Sequence, residues 1–380
     1  MLRVEIKPAL LQWAIERTGD QGAALRQRFP DLEAWERSES QPTLKQLEAF
    51  AKAACVPVGF LFLPAPPEEK VPIPDLRTIE GRGVQRPSPD LLDTIYLCQR
   101  RQTWYQDYAE SIGEEPRGFV GSARLSTSPE RVALDMRNRL GFSIQGRVQC
   151  PTWTDALRLF IHQAEELGVL VMVSGVVGSN NRRTLDPDEF RGFALTDRLA
   201  PLVFINGADT KAAQMFTLAH ELAHVWLGES ALSNIGPDSA PINKIETWCN
   251  RVAAELLVPL PDLRRELGHD DPLKSVAALA RTFKVSTLVI LRRILDAERI
   301  SRDQFQSAYV AELARLVERP RAGGGDFYLT QAARLSRRFA RALIASTLEG
   351  QTLFRDAYQM MGIKKEQTLR KLGRSLEVLH

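Results

Sequence analysis

The 380-residue sequence predicts an α+β fold, mostly helical, with a small antiparallel or mixed sheet near its middle. Three observations carry that expectation. Apolar residues recur at helical spacing from Pro8 to Leu372. Three short runs of β-formers cluster between residues 169 and 206. Between Thr217 and Trp226 lies the sequence His220-Glu221-Leu222-Ala223-His224, flanked by uncharged residues. Length exceeds what one ordinary core holds, and the composition shifts divide the chain into segments 1–63, 64–150, 151–260 and 261–380. With 44% hydrophobic and 26% charged residues the composition is that of a soluble globular chain, and no run approaches the roughly 18 apolar residues of a membrane span. The opening Met1-Leu2-Arg3-Val4-Glu5 has no signal-peptide character. Cys55, Cys98, Cys150 and Cys249 lack metal or redox spacing. A cytoplasmic protein with reduced thiols and no membrane partner is expected.

Residues 8–63 carry short helical patterns over 8–17, 23–29, 43–54 and 60–63, with a turn at Pro30. The positions Leu11-x-x-Ala14-x-x-Arg17-x-Gly19, Trp35-Glu36-Arg37, Pro42-Thr43-Leu44 and Leu47-x-x-Phe50-Ala51 resemble an XRE-type helix-turn-helix domain. The middle departs from that pattern. Between Leu25 and Trp35 the chain is several residues short of an ordinary turn and recognition helix, and Asp31 and Glu33 would face phosphates. Residues 1–63 hold eight Lys/Arg and eight Asp/Glu, whereas a DNA-binding module is usually basic. A degenerate, protein-contacting head is expected ahead of a DNA reader.

The stretch from Pro64-Ala65-Pro66-Pro67 through Pro72-Ile73-Pro74 to Pro87-Ser88-Pro89 reads as an extended link or strap. A helix from Asp90 to about Ser111 follows, with Trp104, Tyr105 and Tyr108 as core aromatics. A second runs to Leu140, opened by Ser128-Pro129-Glu130.

Residues 151–260 read as a helix over 154–167, strands over 169–173, 190–196 and 201–206, and a helix capped by Asp209 or Thr210. On that helix His220 and His224 stand at i and i+4, so both imidazoles can reach one ion. Glu221 sits beside it, placed to take a proton from a metal-bound water and pass it to a leaving amine. Two of the five histidines fall at this spacing. A two-His-one-Glu zinc site takes its third ligand from a neighbouring helix and keeps a fourth position open. The next helix, 244–257, is stopped by Pro259 and offers Glu246, with Glu255 as the rival. Cys249 is read as a small buried residue. Zinc, Zn2+, is the expected cofactor, and no oxyanion-stabilising residue is assigned.

The sequence His220-Glu221-Leu222-Ala223-His224, followed by Glu246-x-x-x-Asn250-x-Val252-Ala253-Ala254-Glu255-Leu256-Leu257-Val258-Pro259, resembles the ImmA/IrrE metallopeptidases over roughly residues 150–260. The resemblance implies a zincin-like domain, zinc held by His220, His224 and Glu246, and cleavage of a partner protein of repressor or antitoxin type encoded nearby. It also implies an edge strand pairing with the substrate backbone, for which 191–196 or 202–205 are the candidates. The run Val276-Ala277-x-Leu279-Ala280-x-x-Phe283-x-Val285-Ser286 resembles the helical tail of such domains.

Gly323-Gly324-Gly325 reads as a joint before a basic segment. Residues 151–260 carry 8 Lys/Arg against 13 Asp/Glu, and residues 261–380 carry 22 against 14. Arg334, Arg337, Arg338 and Arg341 fall within about two turns; a solvated arginine face beside a packed hairpin is the favoured reading. Residues 356–372 read as helix, glycine turn and basic helix, so any DNA contact is expected through Lys364, Lys365, Arg370 and Lys371. Two functions stay open. The first is a zinc metallo-endopeptidase with Glu221 as general base; the alternative is a DNA-binding regulator or antitoxin whose peptidase-like fold is a sensor or scaffold.

Overall fold

The computed structural model describes residues 3–18, 22–76, 87–233, 243–268, 271–317 and 327–379. Two compact units emerge: residues 1–72 with 85–93, and residues 73–84 with 94–380. The Gly323-Gly324-Gly325 joint lies outside the described residues. Among those described, no helix is long and apolar enough to cross a membrane.

The first unit holds helices α1 (Pro8–Arg17), α2 (Gly22–Arg28), α3 (Leu32–Glu36) and α4 (Leu44–Ala53), then a 3-10 turn over Val58–Phe62. Pro8 opens α1, where its missing N–H costs nothing. At α4 a capping box satisfies two donors at once: Thr43 accepts from the Gln46 N–H and Gln46 from the Thr43 N–H. Leu10, Leu11, Leu32, Trp35, Leu47 and Phe50 make the core. The shortened middle becomes α3, a helix of five residues that turns Leu32 and Trp35 inward and leaves Glu33 exposed. The proline-rich stretch starts by closing onto this unit: the Arg17 guanidinium donates to Glu69 at 2.8 Å.

Helix α5 (Pro89–Ser111) carries the chain from the first unit into the second, which continues with α6 (Pro129–Leu140), α7 (Ile144–Val148) and α8 (Trp153–Glu166). Four strands follow: β1 (Leu170–Ser174), β2 (Gly192–Leu195), β3 (Leu202–Asn206) and, after helix α9 (Lys211–Leu227), β4 (Ala231–Ser233). They form one mixed sheet in the order β1-β3-β2-β4. β1 runs parallel to β3 from Leu170↔Leu202, and β2 runs antiparallel to both β3 and β4. Residues on both faces of β2, β3 and β4 are buried, which is why these strands read as continuous apolar runs rather than alternating ones.

The sheet corrects the expected substrate edge. Strands β2 and β3, the two candidates, are both interior; the edges are β1 and the three-residue β4. Chain order is not sheet order, because β4 returns after α9 to lie beside β2.

Helix α10 (Lys244–Leu257) packs between α9 and α6. Helices α11 (Leu260–Leu267), α12 (Pro272–Phe283), α13 (Thr287–Asp296) and α14 (Arg302–Val317) continue the bundle. The last four, α15 (Phe327–Leu335), α16 (Arg337–Leu348), α17 (Phe354–Met361) and α18 (Glu366–Ser375), close against β1 through α15 and α16. Buried polar groups fasten this end. Arg101 of α5 donates to the Met360 carbonyl at 2.8 Å and the Arg334 carbonyl at 3.2 Å. Glu165 of α8 accepts from the Ser336 hydroxyl and the Arg337 N–H at the start of α16, and burial pushes its carboxyl up to about 7. The arginine cluster is partly engaged: Arg338, half-buried, pairs with Glu114 at 2.8 Å, while Arg341 donates to the Leu376 carbonyl from an exposed position and Arg337 is exposed.

Candidate metal centre

Helix α9 begins where the Thr210 hydroxyl accepts the Ala213 N–H at 3.2 Å, while Asp209, the other candidate cap, pairs with Arg191 at 3.1 Å. It ends at Gly228, left-handed at φ +78°, whose N–H returns to the His224 carbonyl at 2.9 Å. A Cβ there would also lie 3.0 Å from the Gly121 Cα, so conformation and space both require glycine. Every residue from Gln214 to Trp226 is buried. A helix apolar nearly all round belongs in the interior, and any charge on it has to be met by partners there.

His220 and His224 turn their Nε2 atoms toward one point, 3.1 Å apart. Glu246 comes from the first turn of α10, which Asn243 starts by accepting the Ile245 N–H at 2.8 Å. Its Oε2 lies 3.2 Å from His220 Nε2 and its Oε1 lies 3.1 Å from His224 Nε2. The separations are those of ion pairs, yet neither carboxylate oxygen receives an aligned hydrogen bond. Two imidazole nitrogens and a carboxylate converging without a satisfied donor form the arrangement that a cation completes. Among the described residues, no other group of three or more His, Cys, Asp or Glu side chains has metal-binding proximity.

Asn250, one turn after Glu246, accepts from His220 Nδ1 at 3.0 Å. That contact keeps the ring proton on Nδ1 and leaves the Nε2 lone pair facing the centre. Glu221 follows His220 directly, fully buried, with no hydrogen bond to either carboxylate oxygen. Glu255 is engaged elsewhere: it pairs with Arg293 of α13, whose Nε also donates to the Val258 carbonyl at 2.8 Å. Cys249 is buried close to Glu246 and Glu221, and burial pushes its thiol well above the ordinary value, so it stays neutral outside the ligand group.

Burial governs the electrostatics. It raises the Glu221 carboxyl to about 8, with the Glu246 charge pushing the same way and His220 opposing. Burial also pushes Glu246 upward, but His220 and the contacts from both imidazoles outweigh it and hold the carboxyl at about 2. His220 is lowered by burial and nevertheless ends raised through Glu246; His224 ends lowered by burial. Without a cation the directions of these shifts favour the proton-bearing forms of His220 and Glu221 beside one charged carboxylate. A divalent ion would displace those protons as it bound.

Strand β2 enters from the other side of Glu221. Gly192 faces Ser233 in the β2–β4 register. A Cβ on it would fall 2.6 Å from Thr217 Cγ2, 2.8 Å from the Phe204 carbonyl oxygen and 3.1 Å from Glu221 Oε1. Ser233 is buried beside the same carboxylate and opposes the effect of burial on it. Gly192→Ala is expected to cost about 1–3 kcal/mol, as forced overpacking of a filled core does, because two of the three contacts are to backbone or a stiff threonine. Denaturant unfolding checks this; stability within about 0.5 kcal/mol of wild type would mean that β2 and α9 part freely to admit a methyl group.

An HExxH helix alone fits many proteins; the deciding feature is the buried carboxylate that the next helix brings to the two imidazoles, with Asn250 one turn after it. Residues 164–295 match the IrrE N-terminal-like domain. The match is to a peptidase family, runs from the end of α8 into α13, and supports the ImmA/IrrE family and a metallopeptidase-like function for this IrrE-like domain. Residues 335–375, which take in α16 to α18, match a domain of unknown function (DUF8813). No curated relative matches the chain.

The structure brings His220, Glu221, His224 and Glu246 together on two adjacent helices of the IrrE-like domain. Lys364, Lys365, Arg370 and Lys371 stand exposed on and just before α18, where Arg370 also meets Glu366 at 2.7 Å. Three site residues carried no role from sequence reasoning. Asn250 was visible as a motif position one turn from Glu246. Gly192 and Ser233 left no comparable mark, since their closeness to Glu221 exists only through sheet pairing.

Proposed function

We propose that the chain is a zinc-dependent metallo-endopeptidase of gluzincin-like type, acting in the cytoplasm on a regulatory partner protein of repressor or antitoxin type. A phage, mobile-element, toxin–antitoxin or stress response is the setting this fits. The observation that carries the reading is the convergence of His220, His224 and Glu246 with the fully buried Glu221 beside them. Zinc held by these three residues would supply Lewis acidity for the scissile carbonyl and an acidified water. Glu221 would serve as the general base that takes a proton from the attacking water and returns it to the leaving amine. Asn250 keeps the His220 ring in place, and the packed α9–β2 contact around Gly192 fixes the carboxylate of Glu221. An extended segment of the partner would enter along the outer edge of β4, the sheet edge next to Ser233 and Glu221. The test compares newly formed protein N-termini in cells carrying the wild-type chain or Glu221→Gln. Termini that appear only with wild type identify the partner; identical sets contradict the proposal.

A second reading, a DNA-binding regulator, is favoured by one observation: the exposed lysines and arginines around α18 lie in a stretch, 331–374, with ten Lys/Arg against three Asp/Glu. Phosphate contacts from Lys364, Lys365, Arg370 and Lys371 would make binding fall steeply with salt. In the full chain, Lys364→Glu with Lys365→Glu and Lys371→Glu is expected to weaken duplex binding by at least about tenfold and flatten its salt slope. Binding that survives this change but disappears with Arg26→Glu and Arg28→Glu would place the contact in the head.

A further inference from the structure

The outer edge of β4 is already taken. The Leu232 N–H donates to the Pro74 carbonyl at 3.0 Å, and the Leu76 N–H donates to the Leu232 carbonyl at 3.0 Å, a parallel bridge centred on Asp75. The segment belongs to the same compact unit as the sheet, and Ile73 anchors it by being buried. One residue beyond Leu232 is Ser233, beside Glu221 and opposite Gly192.

Its chemistry limits how far it can pair. Along a strand the N–H and C=O of one residue point to the same side, so Pro74, whose carbonyl faces β4, has its nitrogen on that side too, without a proton to donate. Among the described residues the ladder consists of two hydrogen bonds, on a strand of three residues. Such a strand covers an edge that would otherwise be open to another chain, and holds it weakly enough to be exchanged for a longer ladder.

We propose that Ile73–Leu76 is an autoinhibitory strap, a resident strand that occupies the β4 edge in place of the partner's extended segment and has to be displaced before that segment can dock beside Glu221. The inference rests on the peptidase reading only for the identity of the competitor; the strap itself is a property of β4. It also gives this part of the proline-rich stretch a role beyond linking, because Pro74 offers β4 an acceptor but no donor and so helps keep the strap displaceable.

The test uses the zinc-supplied full chain and amide hydrogen exchange across 231–233, with Leu76→Pro, which removes one donor, and Ile73→Asp, which removes the anchor. The probe is a synthetic peptide spanning Val71 to Leu76. Both variants are expected to speed exchange at Leu232 at least tenfold while the amides of α9 around His220 stay protected, and excess peptide is expected to restore slow exchange in each. Unchanged protection of Leu232 in both variants overturns the strap; so does a freed edge that the peptide fails to cover. Zinc content measured on the same samples separates the two readings. A chain that binds no zinc yet shows a strap that the peptide replaces would sink the peptidase and leave the strap standing.

Discussion

Replacing Glu221 by glutamine is expected to leave the zinc content of the chain unchanged and to slow hydrolysis of its protein partner by at least about a hundredfold, the scale at which a general base acts. The amide keeps the size and the buried position of the carboxyl group, and Glu221 is not among the three converging ligands, so the metal should not notice the change. What disappears is a carboxyl group beside the centre that can accept a proton from water and give it back. The Glu221 carboxyl is buried beside the Ser233 hydroxyl and the ligand group, and burial raises it to about 8, a range in which it can take up and release a proton near neutral pH. Metal counting and a cleavage assay on the two proteins check it. A variant that cuts as fast as wild type would take Glu221 out of the chemistry, and a wild-type chain that cuts nothing would shift the weight to the regulator reading.

The second large effect belongs to the ligands. His224→Ala is expected to abolish zinc binding, and with it the stabilisation that zinc gives the wild type. Glu221 and Glu246 are both wholly buried, and His220 is 2% exposed. A divalent ion offsets the desolvation of two carboxylates at once, so its removal should be felt by the whole unit. At about a thousandfold excess over its dissociation constant a ligand stabilises by roughly 4 kcal/mol, equivalent to a melting shift of roughly 5–10 °C in a unit of this size. Wild-type chain stripped with a chelator should lose that increment and regain it with zinc, and His224→Ala should show no zinc response.

How much of this could be read from the chain alone follows from how local each feature is. His220, Glu221 and His224 share one helical turn, and Glu246 opens the next helix, so spacing alone could propose the group that the fold assembles. The short N-terminal helix could be read from a residue count, because too few residues separate Leu25 from Trp35 to build anything longer than α3. The edge of the sheet could not. Ala231-Leu232-Ser233 is too short to register as a strand, and its pairing with β2 depends on α9 lying between them. The same blindness applied to Arg338, which looks like one of four exposed arginines until Glu114, 224 positions earlier, comes to meet it. Asn250 stands between these cases: its spacing was plain, but its bond to His220 needed two helices packed at a set rotation.

X-ray absorption at the zinc edge, with metal counting on the purified full chain, tests the central claim most directly. His220, His224 and Glu246 predict about one zinc per chain, bound by nitrogen and oxygen at about 2.0–2.2 Å with no sulfur neighbour. A chain that takes up no zinc when supplied with it, or a sulfur scatterer near 2.3 Å drawing Cys249 into the ligand group, would contradict the account.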